Sequence, residues 1–363
     1  MAISAVERAA LRDAVRDLMT RECTEQDVRR VMASGDDYDP GLWARLAGLG
    51  AAGMIIDPAY GGMGFGAAEL EAVTEETGAA LLPSPLISSG VLAAGLLGAA
   101  APDVRERLLP GIADGTTIAT VALTGPAGTW EPDGVAVEAS ADGALTGEAA
   151  YVTHGSGADV LLVVARAADG VGVYEIAPGT RGLTRTAEDV FDPTVPLARL
   201  AFDAAPARRI AGLGWPEVAG ALDLALIALA GEQVGGARRI FEITVDYLKT
   251  RIQFGRQIGS FQALKHYAAD LLLEVESATS AARHAAAEHA AGSAAAGGAV
   301  ALAAFTCAEA FHTTAMYAIQ MHGGIAFTWE HPAHLFLRRA RSGRQMFGGS
   351  PQHRERYLTA KGA

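Results

Sequence analysis

The chain has 363 residues, half of them hydrophobic, and a formal net charge of −12. That length can bury a large core divided among two or three structural units. The acidic balance argues against a nucleic-acid surface, which needs a basic face to neutralise phosphates, but not against an anionic ligand held by a local arginine cluster.

From Val6 to about Leu109 the patterning is helical. Val6, Ala10, Leu11, Val15 and Leu18 recur at helical spacing, and Leu42, Leu46 and Leu49 repeat the pattern. Gly61, Gly62, Gly64 and Gly66 break the chain before Leu70 and Val73 resume a helix, which Pro83 and Pro85 end. From about Thr116 to Gly212, short runs rich in Val, Leu and Thr are separated by turns such as Ala141-Asp142-Gly143. The runs Thr117–Leu123, Asp159–Val164, Gly172–Ile176 and Ala198–Phe202 predict an antiparallel β domain. After Trp215-Pro216 the chain is helical again. Leu222, Leu226 and Leu229 share one face, a second long helix runs through roughly Phe261 to Ala291, and Gly292 to Gly298 turns it into a third. The expected domains are residues 1–115, helical; 116–212, β; and 213–363, a four-helix type of bundle.

The apolar runs, such as Ala221 to Ala230 with its Asp223, read as too short for a membrane span. No basic region followed by an apolar one opens the chain, so no secretory signal is expected. Cys23 and Cys307 lie far apart and do not suggest a disulfide scaffold, which fits a reduced, cytoplasmic setting. His284, Glu288 and His289 share a helical spacing, but no third ligand follows suitably for a metal.

Two clusters carry chemistry. The first, Arg251-Ile252-Gln253-Phe254-Gly255-Arg256-Gln257-Ile258-Gly259-Ser260-Phe261-Gln262, interrupts the helical pattern with two glycines. It reads either as a helix-turn-helix corner with Arg251 solvated, or as a guanidinium, an aromatic face and an amide set out for a dinucleotide pyrophosphate and a flat ring. The second is Gln320-Met321-His322-Gly323-Gly324, followed by Arg338-Arg339-Ala340-Arg341. Paired glycines let a backbone come close to a ligand. Either cluster alone is weak; the two at this separation are specific.

Together they resemble the C-terminal domain of the acyl-CoA dehydrogenase family, with its Arg-x-x-Phe-Gly and Gln-x-x-Gly-Gly loops. The likeness extends over nearly the whole chain. Leu42-Trp43 through Pro58-Ala59-Tyr60-Gly61-Gly62-Met63-Gly64 is similar to the family's N-terminal helical domain. Leu145-Thr146-Gly147 to Tyr151-Val152-Thr153-His154-Gly155 is similar to its β segment beside the flavin. The resemblance implies an α+β fold: N-terminal helical domain, middle β-barrel domain and C-terminal four-helix bundle. It also implies FAD as cofactor, an acyl-CoA substrate and an electron-transferring flavoprotein as acceptor. Arg251, Phe254, Gln262, Gln320, Gly323 and Gly324 would grip the adenine and pyrophosphate half of a neighbouring subunit's FAD. Thr124 and Thr153 would touch the flavin of the chain's own.

The reaction removes a proton alpha to a thioester carbonyl and needs a carboxylate there. The family places a Glu at one of two positions. The matching residues here are Ala225, in Leu222-Asp223-Leu224-Ala225, and Phe347 before Gly348; neither takes up a proton. Asp223 and Glu232 are the substitute carboxylates within reach, more simply read as surface or interface charges. The family's Thr-Glu-Pro-Gly-Ala-Gly-Ser-Asp loop is replaced by Thr124-Gly125-Pro126-Ala127-Gly128-Thr129-Trp130, and Ala326 replaces a Gly. These departures resemble the shorter, base-lacking subunits of heterotetrameric members, several of which act on sterol side-chain CoA thioesters. The implied partner is a homologous subunit carrying the Glu, in an α2β2 assembly. A homomer with a displaced base and a non-catalytic scaffold are the alternatives.

Overall fold

The computed structural model describes residues 3–362. Helices α1 (Ala5–Glu22), α2 (Glu25–Ser34), α3 (Pro40–Gly48), α4 (Ala67–Ala79), α5 (Ala94–Gly98) and α6 (Pro102–Ala113) precede a curled sheet. Its strands are β1 (Ala119–Ala122), β2 (Val137–Ala139), β3 (Ala144–Thr153), β4 (Val160–Ala167), β5 (Gly170–Ile176), β6 (Leu183–Ala187), β7 (Leu197–Pro206) and β8 (Arg208–Arg209). Then come α7 (Trp215–Thr250), the strand pair β9 (Ile252–Gln253) and β10 (Arg256–Gln257), α8 (Gln262–Ala290), α9 (Ala296–His322), α10 (Ala333–Gly343) and α11 (Ser350–Ala360). This is the α+β order that the sequence textures imply.

The chain divides into two compact units, Arg30–Gly66 with Pro83–Ala225, and Ser4–Arg29 with Ala67–Leu82 and Leu226–Ala363. In the first, the strands run β6-β7-β3-β2-β4-β5-β8, with β1 also on β4. β4 lies inside the sheet and is covered on both faces: Leu161, Leu162, Val163, Val164 and Ala165 are all fully buried. Continuous apolar sequence is what such a strand requires. β7 instead alternates, with Ala198, Leu200 and Phe202 inward and Arg199 outward. The expectation of a purely antiparallel domain is corrected: β1 and β2 each pair with β4 in parallel. Strands β2, β3 and β6 also escape the pattern of Val, Leu and Thr runs. β3 carries Gly147, Ala149 and Ala150, poor strand formers held in place by pairing with β7 across two register shifts. Leu86–Ala93 is a π-helical turn that leads into α5 and packs on β1, a wide-turn geometry often found near functional sites.

In the second unit α8 packs along α9, α9 against α10 and α11, and α4 against α8 and α1. α4 and α7 cross backbone to backbone. A Cβ on Gly235 would stand 1.8 Å from the Glu75 carbonyl oxygen, and one on Gly78 would stand 2.1 Å from that of Glu232. Only glycine permits this approach. α1 begins with a capping box, Ser4 and Glu7 exchanging hydrogen bonds. It is fastened to α4 by Arg8, Arg12 and Arg16, one turn apart, which pair with Glu69, Glu75 and Glu76. Glu75 is nearly sequestered from solvent and also meets Arg238 at 2.8 Å and Arg283 at 3.6 Å.

α7 and the stretch Ala296–Phe327 are, by length and composition, able to cross a membrane, contrary to the expectation from the apolar runs. Of the apolar windows, 72% and 61% are buried inside the protein, as in the core helices of a bundle.

Candidate functional site

Both loops singled out in the sequence lie in the second unit, and one apolar cluster brings them together. Leu248 near the end of α7, Leu271 of α8 and Met321 of α9 are buried against each other, with Ile258, Leu264 and Tyr317 packed around them. The first loop is not a helix-turn-helix corner but a two-residue hairpin, β9 against β10. Its central residues Phe254 and Gly255 both have positive φ, 53° and 76°, as the tight hairpin turn needs. A bulky side chain is strained there. Phe254 is nonetheless 91% exposed, so neither its conformation nor its burial serves this chain's own core. The Ile258 N–H donates to the Arg251 carbonyl at 2.9 Å and closes the loop. The Arg256 guanidinium lies 4.0 Å over the Phe261 ring, and Gln262 opens α8.

The second loop ends α9. Gly323, φ 67°, donates its N–H back to Gln320 and Ile319, satisfying carbonyls the helix leaves open. Arg251, Phe254, Gln262, Gln320, Gly323 and Gly324 are all exposed. A Cβ at Gly255, Gly323 or Gly324 would meet nothing within 4 Å. These glycines are therefore not required by packing and leave room for something from outside. A guanidinium, two amide side chains, an aromatic face and two open glycines suit an anionic dinucleotide.

In the first unit, Thr124 and Thr153 lie along neighbouring segments. The Ala150 N–H donates to the Thr124 carbonyl, and the Thr120 hydroxyl to that of Thr153. Thr124 is fully buried and its hydroxyl donates to the Thr129 carbonyl at 2.6 Å. That loop is folded on itself: the Gly125 N–H donates to the Gly134 carbonyl, and Trp130 is turned inward, 8% exposed. His154, adjoining Thr153, has φ 57° and meets the Ser88 hydroxyl of the π-helical turn at 3.0 Å through Nδ1. That link between strand and π-helix has no signature in the sequence.

At the two positions where a base is sought, Ala225 is fully buried and Phe347, φ 59°, is 4% exposed. Glu232 is not a surface charge. It accepts from Arg339 at 2.8 Å, and Arg339, itself buried, also donates to the Leu81 and Leu82 carbonyls. A carboxylate so committed belongs to a structural pair. Asp223 is half-buried. The arginine cluster after the second loop disperses: Arg338 lies 5.4 Å over the Trp329 ring, Arg339 points into the core and Arg341 is exposed. A cleft of about 830 Å³ between α1, α4, α7 and α10 is lined by Arg12, Arg16 and Arg238 with Glu75 and Glu76. Those charges are already paired with one another.

One grouping went unseen in the sequence. Tyr247, His322 and His331 stack, with ring centroids 4.5 and 4.3 Å apart. Their separation along the chain conceals it, although His322 stands within the second motif.

A helical N-terminal region, a curled sheet and a C-terminal helical bundle carrying these two loops make up an acyl-CoA dehydrogenase type of fold. Residues 6–116 match the family description "Acyl-CoA dehydrogenase, N-terminal domain" and residues 212–359 match "Acyl-CoA dehydrogenase, C-terminal domain". The chain is 37% identical to the acyl-CoA dehydrogenase IpdE2 of Mycobacterium tuberculosis, over 94% of this chain and 92% of the relative. Among solved structures it superposes on the ChsE4-ChsE5 complex from Mycobacterium tuberculosis with a TM-score of 0.91 and 29% identity, covering 99% of this chain and 98% of that one. A Tcur3481-Tcur3483 steroid ACAD gives a TM-score of 0.88 and 30% identity, with 98% of each chain covered. The protein belongs to the acyl-CoA dehydrogenase family.

Proposed function

We propose that this chain is the base-lacking subunit of an FAD-dependent acyl-CoA dehydrogenase that acts with a homologous chain carrying the glutamate. The single observation that carries this reading is the contrast within the chain. Ala225 and Phe347 are buried apolar groups where proton abstraction needs a carboxylate, while the loop residues Arg251, Phe254, Gln262, Gln320, Gly323 and Gly324 face outward.

FAD, when bound, supplies the acceptor for the hydride that leaves the substrate's beta carbon. The rest concerns this chain's own groups. Arg251 offers a planar fork of donors to a phosphate, and Gln262 and Gln320 offer amides to an adenine or ribose edge. Gly323 and Gly324 let the backbone approach, and Phe254 presents a ring face. A methyl at Ala225 and a benzyl ring at Phe347 exclude water but neither accept nor deliver a proton, so the alpha proton goes to the partner's carboxylate.

A partner is further supported by the apolar surface around these loops. Ile252 and Phe254 of the first loop are 62% and 91% exposed, and Phe327 and Trp329, just after the second, are 80% and 60% exposed, an apolar surface that favours a covering partner. The steroid name of one structural relative and the paired names of two favour a bulky, steroid-type CoA thioester and an α2β2 assembly. An electron-transferring flavoprotein as acceptor and a cytoplasmic location complete the proposal.

The test is co-expression with a neighbouring homologue. The lone chain is expected to show little flavin absorbance and no turnover of acyl-CoA; the pair, stoichiometric flavin and activity. A lone chain that turns over substrate and loses activity on Asp223→Asn would establish the homomeric alternative instead.

A further inference from the structure

The residues Tyr247, His322 and His331, whose rings are in contact, adjoin both outward-facing loops: the Arg251 N–H donates to the Tyr247 carbonyl, and Gly323 follows His322. His322 is the last residue of α9 and is 4% exposed. Its Nδ1 lies 2.8 Å from the Ala318 carbonyl, which can only accept. Nδ1 therefore carries the proton, and Nε2 is left as a buried acceptor without a partner among the described residues. The ring lies 4.5 Å from that of Tyr247, tilted by 31°. The carbonyl of Tyr247 accepts the N–H of Arg251. The His322 ring also lies 4.3 Å from that of His331, tilted by 53°. The Nδ1 of His331 accepts the Ala333 N–H, and the backbone N–H of His331 donates to the Thr328 carbonyl. One column of rings thus links the turn that presents Arg251, the helix end that presents Gly323 and the segment after it.

A phenylalanine would fill the same space without burying an unpartnered nitrogen. Histidine adds the bond to Ala318, which fastens the last turn of α9 just before the glycine pair. The unpartnered Nε2 is the cost of that bond. Burial holds the pKa of His322 down, and with the neighbouring His322 holds that of His331 down to about 4. Held down in this way, neither imidazole tends to take up a proton that would compete with Arg251 for an anion.

We propose that His322 is a positioning residue that sets the spacing between Arg251 and the Gly323-Gly324 backbone, so that both reach the same dinucleotide. It acts through Tyr247 and the end of α9 and touches no ligand itself. This rests on the reading above that the two loops form part of an FAD site.

The experiment measures FAD affinity of the two-chain complex by flavin fluorescence, with thermal melts in parallel. The variants are His322→Phe, His322→Asn, Arg251→Ala and the double variant His322→Phe/Arg251→Ala. His322→Phe keeps the stack and is expected to raise the FAD Kd about tenfold with little change in melting temperature. His322→Asn keeps a donor for Ala318 and is expected to restore part of that loss. In the Arg251→Ala background the effect of His322→Phe should shrink to less than threefold, since the contact it positions is already gone. Additive effects, or a lower melting temperature with unchanged FAD affinity, would assign His322 a purely structural role and overturn the proposal. If Arg251→Ala itself leaves FAD binding unchanged, or the wild-type complex binds none, the reading of the loops fails and the proposal falls with it.

Discussion

At the scale of single residues, the least conventional group is Glu71 on α4. It is 5% exposed, and its Oε1 has no hydrogen-bond partner among the described residues. Nearby arginines are engaged by Glu75, which is bonded to Arg12 and Arg238. Burial, and then the charge of Glu75, raise the Glu71 pKa to about 7. The sign follows from linkage. The folded state keeps a proton that the unfolded chain gives up near its ordinary value. The stabilisation is therefore complete below that value and is lost as pH rises through about 7. Raising the pH from 5 to 8 should cost the wild type up to roughly 3 kcal/mol through this group. Glu71→Gln should remove most of that dependence, as read from urea midpoints at the two pH values. An unchanged slope would show that the carboxyl finds relief by local motion. Sequence patterning could not single out Glu71, because it sits in a run with Glu69, Glu75 and Glu76 that looks like a solvated face. Its burial comes from packing of α4 on α8.

At the scale of elements, α7 offers a direct contrast between two of its own glycines. A Cβ at Gly235 would collide with the Glu75 carbonyl at 1.8 Å, whereas one at Gly220 would meet nothing within 4 Å. Gly220→Ala should therefore stabilise the protein by about 0.5–1 kcal/mol through helix propensity. Gly235→Ala should destabilise it by about 1–3 kcal/mol or prevent folding, because α4 must back away. Thermal unfolding of the two variants beside the wild type checks both signs. The helices were the legible part of the fold. The expected Phe261-to-Ala291 helix is α8, Gln262–Ala290, since long apolar periodicity survives without knowledge of its partners. The strands were half legible. β4 announces itself through Leu161–Val164, but β3 with its Gly and Ala residues is a strand only because β7 pairs with it. The Ile252–Gln257 hairpin is not legible as one, because its turn uses Phe where Asn or Asp is usual.

At the scale of the whole molecule, the exposed apolar residues around the two loops predict assembly. Phe254→Ser with Phe327→Ser should leave the melt of the isolated chain nearly unchanged, since both rings are almost wholly exposed. Co-purification of the homologous partner proposed above should fall at least about tenfold, measured by size-exclusion chromatography of the mixed chains. Undiminished assembly would move the partner to another face. The family, and with it the helical, sheet and bundle order, was fixed by the residues themselves. The Arg-x-x-Phe-Gly and Gln-x-x-Gly-Gly spacings and the non-acidic residues at Ala225 and Phe347 are local facts of order and identity. The sequence left open which charges and rings meet. Arg339 stands beside Arg338 and Arg341 in the chain, yet only Arg339 turns inward to Glu232. Tyr247, His322 and His331 form one stack although loops and a whole helix separate them. Burial and pairing depend on residues far along the chain, whose approach is set by packing, so the tertiary structure alone decides them.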